Sequence, residues 1–123
     1  MAGSASINLI VTVSGLGKAT YTLPVSFTGT VPTVVTPSYR LLALETEEAL
    51  PLGDISTVEG VLIIASVCND GAIQVDTSYV DSFTAEITLA QGEACYFKPS
   101  GVVYVRNNDD AAGAYEYLLF GTA

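Results

Sequence analysis

A period of two is the feature that most limits how this chain can fold. Apolar and polar residues alternate over short stretches, and turn-forming residues separate those stretches. That pattern suits half-buried strands and not amphipathic helices. Ile7, Leu9, Val11 and Val13 share one face of a first strand, and Gly15-Leu16-Gly17-Lys18 reads as the turn after it. Tyr21, Leu23, Val25 and Phe27 alternate with small polar residues, and Pro24 predicts an edge or a bulge for that strand. Gly29, Pro32 and Pro37 make residues 29–38 an extended segment or loop, excluded from a central ladder. Strand character returns over 39–43. Residues 45–50 have the helix-friendly composition of the chain, but Pro51 limits them to at most one helical turn.

The β-branched, strongly apolar run 58–67 predicts a strand buried on both faces. Asn69-Asp70-Gly71 reads as a tight hairpin turn before Ile73 and Val75. Phe83, Ala85, Ile87 and Leu89 give the cleanest alternation and predict a strand over 83–89. Gln91-Gly92 and Pro99-Ser100-Gly101 turn the chain into strands at 93–97 and 102–106. A polar tip at 107–110 precedes a final strand over 114–120. Short strands at this spacing, about one every 8–12 residues, predict an all-β, antiparallel β-sandwich. About eight strands in two sheets favours a jelly-roll-like arrangement over an immunoglobulin-like one, whose buried tryptophan is missing because the chain has no Trp. The 123 residues fit a single domain, 1–123, with 1–6 as a possible N-terminal arm.

Charge narrows the function. The net charge is -9, and the four basic residues, Lys18, Arg40, Lys98 and Arg106, are scattered. Binding nucleic acid needs clustered cations, so direct nucleic-acid contact is not expected, nor is attraction to an anionic membrane. Charged residues are only 14% of the chain against about 25% in typical soluble domains, which suggests that other protein covers part of the surface. Residues 1–6 lack a basic segment and a long apolar run, so synthesis in a cytosol is expected. Cys68 and Cys95 sit in apolar strands and read as buried thiols, with an inter-strand disulfide as the alternative.

Catalysis finds little support. The absence of histidine removes the commonest general base and metal ligand. Glu45, Glu47 and Glu48 cluster, as do Asp109 and Asp110, yet no pair stands out as an acid and base across a cleft. Asp54, Asp70, Asp76, Asp81, Asp109 and Asp110 are loop oxygens suited to calcium, without EF-hand spacing. Ser14-Gly15-Leu16-Gly17-Lys18 lacks the spacing and following helix of a phosphate loop. The expectation is therefore a protein with no catalytic, cofactor or metal residues. Tyr39, Tyr79, Tyr104, Tyr115 and Tyr117 offer contact area for a protein or sugar surface.

Ala49-Leu50-Pro51-Leu52-Gly53-Asp54-Ile55 precedes an apolar strand ending at Asn69, and Ile73-Gln74-Val75-Asp76 follows a polar turn. Phe83, Ile87-Thr88-Leu89, Gln91-Gly92-Glu93, Tyr96-Phe97 and Glu116-Tyr117-Leu118-Leu119-Phe120 complete the cadence. Over residues 49–120 this resembles small β-sandwich structural proteins of tailed bacteriophages: capsid-decoration, head-fibre and tail-associated components. The resemblance implies a non-enzymatic virion protein, made in the host cytoplasm, that self-associates as a homo-oligomer, with a trimer favoured. It also implies binding to the major capsid protein or other virion proteins on a repeating lattice; the acidic charge suits an exterior position, and closed symmetry that satisfies sheet edges is the reason a trimer or higher ring is expected. It carries no catalytic, cofactor or metal residues. A carbohydrate- or ligand-binding β-sandwich module is the alternative.

Overall fold

The computed structural model describes the backbone of residues 5–13, 19–27, 34–68 and 72–122, and the side chains of 39–68 and 72–122. Ten strands follow in chain order: β1 Ala5–Val13, β2 Ala19–Phe27, β3 Val34–Leu42, β4 Thr46–Ala49, β5 Thr57–Val67, β6 Ile73–Tyr79, β7 Ile87–Leu89, β8 Ala94–Phe97, β9 Val102–Asn107 and β10 Gly113–Thr122. Among the described residues there is no helix.

The last eight strands pair in a nest. β3 pairs with β10, β4 with β9, β5 with β8 and β6 with β7, all antiparallel. The chain thus doubles back on itself about the β6–β7 connection, and the doubled ribbon rolls up. Pairing of β10 with β5 and of β6 with β9 completes two four-stranded sheets. Sheet one has the order β3-β10-β5-β8 and sheet two β4-β9-β6-β7. This is the all-β jelly-roll sandwich that the spacing of the strands predicts. β1 and β2 form a separate antiparallel hairpin.

Alternation selects which side chains enter the core. Val61, Ile63 and Ala65 on β5 and Tyr115, Tyr117 and Leu119 on β10 face Ile73, Val75, Val103 and Val105 from sheet two, and all are buried. Asn107 closes one end of the sandwich. Fully buried, its Nδ2 donates to the Leu42, Ala43 and Ala111 carbonyls at 3.2, 3.4 and 2.8 Å, and its Oδ1 accepts the Asp109 N–H at 3.0 Å. One side chain thereby ties the β3–β4 corner to the β9–β10 corner, satisfying carbonyls that turn away from both ladders.

Several expectations change. Residues 34–38, expected as an extended segment or loop outside any central ladder, form the first part of β3, an edge strand where a proline is tolerated. The segment expected to hold a helical turn is β4, because pairing with β9 outweighs the weak helical preference of its glutamates. The predicted strand over 83–89 shrinks to Ile87–Leu89. Backbone N–H groups in and beside that segment bond to carboxylates instead: Thr84 N–H to Asp76 Oδ2 at 2.8 Å and Thr77 N–H to Glu86 Oε2 at 3.0 Å. β5 is buried on one face only, since Leu62 and Ile64 are half-buried. The predicted turns at 15–18 and 69–71 lie outside the described residues, though β5 and β6 belong to different sheets and are not hairpin partners. Of the expected arm at 1–6, residues 1–4 lie outside the description, and Ala5 and Ser6 begin β1.

Candidate functional site

Sheet one presents an apolar outer surface. Register aligns Pro37, Leu118, Leu62 and Tyr96 in one cross-strand row, and Tyr39, Glu116, Ile64 and Ala94 in the next. Leu41 stands opposite Ala114 beyond them. Leu41 is 76% exposed, Tyr39 51% and Tyr96 40%, whereas Glu116 is the single charge in these rows. Phe120 is also outward but buried, because its ring lies over Gly60, the residue paired with it, beside the Tyr96 hydroxyl. Any side chain at position 60 would occupy the place of that ring. Contiguous apolar surface of this kind, with one charge in it, marks an interaction face more often than a solvated one.

Sheet two is polar outside. Glu47, Arg106, Gln74 and Thr88 form one row, and Ala49, Tyr104 and Asp76 another. Tyr79 and Tyr104 stack with ring centroids 3.7 Å apart and 16° between planes. Arg106 lies 5.3 Å from the centroid of the Phe83 ring.

The clustered glutamates separate. Glu48 points between the sheets, where Arg40 Nε and Nη2 donate to its two oxygens at 3.0 Å each and the Tyr115 hydroxyl donates to Oε1 at 2.8 Å. Arg40 lies on sheet one and Glu48 on sheet two, so this fork joins the two sheets along their open edge. Hydrogen bonds from Arg40 hold the Glu48 carboxyl below the usual carboxylate range, against the effect of burial. Burial, followed by the neighbouring carboxylate, pushes the Tyr115 phenol above its ordinary value. These charges are fixed at neutral pH, which suits a structural clasp and not proton transfer. Glu47 faces outward opposite Arg106, and Glu45 sits at a corner with φ 51°.

The aspartates also have local tasks. Asp76, 2% exposed, accepts the Ser78 N–H at 3.0 Å and the Thr84 N–H at 2.8 Å. Together with Asp81, Glu86, Ser78 and Thr84 it lines a shallow depression of about 280 Å³. Glu86 accepts from the Thr77 hydroxyl and N–H and the Ser78 hydroxyl, and these bonds hold its carboxyl below the ordinary range. Asp109 Oδ1 accepts the Asp110 N–H at 2.8 Å. Asp54 lies exposed in the β4–β5 connection, and Asp70 falls outside the described residues. Among the described residues no three acidic or thiol groups are placed to share a metal ion.

Tyr115 and Tyr117 are core residues and do not offer contact surface. Tyr96, not singled out from the sequence, does. Cys68 and Cys95 are free thiols, the first buried and the second half-buried. Burial pushes the Cys95 thiol up to about 11, so it is protonated and a poor nucleophile at neutral pH. A cleft of about 370 Å³ opens at the sandwich end between Leu50, Leu52, Val58 and Val102, with aliphatic walls and no ionisable group in its lining. Comparison of the chain with protein-family models, curated proteins and solved structures finds no match.

Proposed function

We propose that this chain is a non-enzymatic structural subunit of a bacteriophage virion, a capsid-decoration protein or another exterior component of head or tail. It works by associating with copies of itself and with the surrounding lattice. The observation that carries this reading is the exposed apolar surface of sheet one, with Leu41, Tyr39 and Tyr96 open to solvent on an otherwise well-packed sandwich. Burial of such surface contributes about 25 cal/mol per Å² before the costs of association are subtracted. Weak contacts of this size hold when a symmetric lattice repeats them. A net charge of -9 disfavours contact with packaged DNA and suits an outer position.

Light scattering on the purified chain over a wide concentration range tests this. A homo-oligomer, a trimer by expectation, supports the reading. A monomer at every concentration that also fails to co-sediment with particles overturns it. Carbohydrate binding remains the second reading, favoured by the Tyr79–Tyr104 stack on sheet two. Calorimetry against a glycan panel, with Tyr104→Ala as the control, separates the two.

A further inference from the structure

We infer that the β1–β2 hairpin is an exchange arm whose apolar side packs on the outer surface of sheet one of a second copy of this chain. The inference rests on the assembly reading above and names the contact that makes the assembly.

The hairpin's register carries the first half of the case. Ile7 pairs with Val25, Leu9 with Leu23 and Val11 with Tyr21, so the apolar positions of both strands fall on one side of the ribbon. The alternate positions carry Ser, Thr, Asn and Pro, apart from Ile10. A hairpin alone is marginal in water and needs a cover for such a side. Among the described strands, β1 and β2 pair with each other and with no other strand.

Sheet one supplies the second half. Its outer rows are apolar, and β10 is ten residues long against nine for β1 and for β2, so ribbon and sheet match in length. Leu41, Tyr39 and Tyr96, toward the two edges of these rows, remain 76%, 51% and 40% exposed within one chain, so apolar surface is left there for a second copy to cover.

Charge explains why a copy of this acidic chain is an acceptable partner. Lys18 is the only charged residue before Arg40, and all thirteen acidic residues lie at Glu45 or beyond. The hairpin therefore approaches an acidic neighbour with a single positive charge, and the receiving rows hold only Glu116. Two whole acidic bodies would repel; an arm whose one charge is Lys18 meeting rows whose one charge is Glu116 avoids that cost. Six residues, 28–33, link β2 to β3, and full extension lets them span at most about 25 Å. Facing sheets pack about 10 Å apart, so the link is long enough for exchange between neighbours.

Complementation between full-length variants is the test. Leu23→Glu spoils the arm, Leu118→Glu spoils the face, and Thr22→Glu on the polar side of the ribbon is the control. Each spoiled variant buries an unpaired carboxylate, so the concentration for half-association should rise roughly 100-fold while the far-ultraviolet spectrum stays β. Thr22→Glu should associate as the parent does. Mixing the Leu23→Glu and Leu118→Glu chains should restore a heterodimer, held by the intact arm of one on the intact face of the other. If Leu118→Glu proves misfolded, Leu41→Glu at a well-exposed position of the same face replaces it.

Three results would overturn the inference. Association that survives Leu23→Glu but not Leu118→Glu means that faces meet without the arm, and the assembly reading stands alone. Failure of the mixture to re-associate means that the arm does not cross between copies. A parent chain that is monomeric throughout removes both readings together.

Discussion

Leu118 and Tyr104 hold equivalent places, each pointing outward from a central strand of its sheet, and their neighbours differ completely. Leu118 sits between Pro37 and Leu62 with no polar partner. Tyr104 sits between Ala49 and Asp76 and stacks on Tyr79, beside a loop in which the Thr84 N–H donates to Asp76 and Glu86 accepts the Thr77 N–H of β6. Sheet two has largely completed its outer surface with its own chain, although Gln74 Oε1 is buried there without a partner. Sheet one has not. The difference teaches that a substitution on sheet two should act on the stability of the single chain, whereas one on sheet one should act on association.

Asp76→Ala tests this division with the largest expected effect. It strands the Ser78 and Thr84 N–H groups, and a lost buried partner costs about 1–3 kcal/mol for each group. A loss near 3 kcal/mol, read from urea midpoints, is expected, together with faster hydrogen exchange across 78–84. An unchanged midpoint would mean that water satisfies the loop equally well. On the opposite sheet, Gly60→Val should cost about 2 kcal/mol, because the new side chain must displace the Phe120 ring and the Tyr96 hydroxyl. At Gly60 the Phe120 ring folds over the outer face of sheet one, so this variant should also disturb association.

The Glu48 clasp belongs to neither outer surface and gives a pH signature. Arg40 holds the folded carboxyl below its unfolded value, near 4.3 for glutamate. Stability from this shift is therefore present above the unfolded value and is lost as pH falls through the folded one. Glu48→Gln should cost about 1 kcal/mol at neutral pH, a figure kept small because Arg40 is 42% exposed. The variant should also lose less stability than the parent between about pH 5 and pH 3. Parallel acid-unfolding curves for the two would place the carboxylate's contribution elsewhere.

Much of the sandwich was legible as alternation. Ile73 and Val75 alternate with Gln74 and Asp76 and are core, whereas Tyr115 and Tyr117, expected to offer contact area, are core as well. The nested order was not legible, because it depends on contacts between distant segments, such as Asn107 with Leu42 or Arg40 with Glu48 across the sheets. β4 was hidden because its glutamates suit a helix and only β9 makes them a strand. The late start of β7, at Ile87, had a signal that alternation at 83–89 masked. Asp76-Thr77-Ser78 and Asp81-Ser82 are residues that bond to nearby backbone and compete with a ladder. The apolar outer face of sheet one was the hardest to see. Leu62 and Ile64 look like core in any one-dimensional reading, and only the pairing of β5 with β10 shows that they lie on the far side from Ile63.

Leu41→Ser should produce the smallest change in the single chain and so makes the sharpest contrast with Asp76→Ala. At 76% exposure Leu41 leaves little apolar area to lose on unfolding, so its urea midpoint should move by less than about 0.5 kcal/mol. Its association should weaken measurably, because the side chain passes from water into the interface only when copies meet. Sedimentation and denaturation on the same preparation separate these effects. If Leu41→Ser lowers stability but leaves association untouched, Leu41 is part of the fold's own packing, and the proposed distinction between a finished face and an unfinished one is lost.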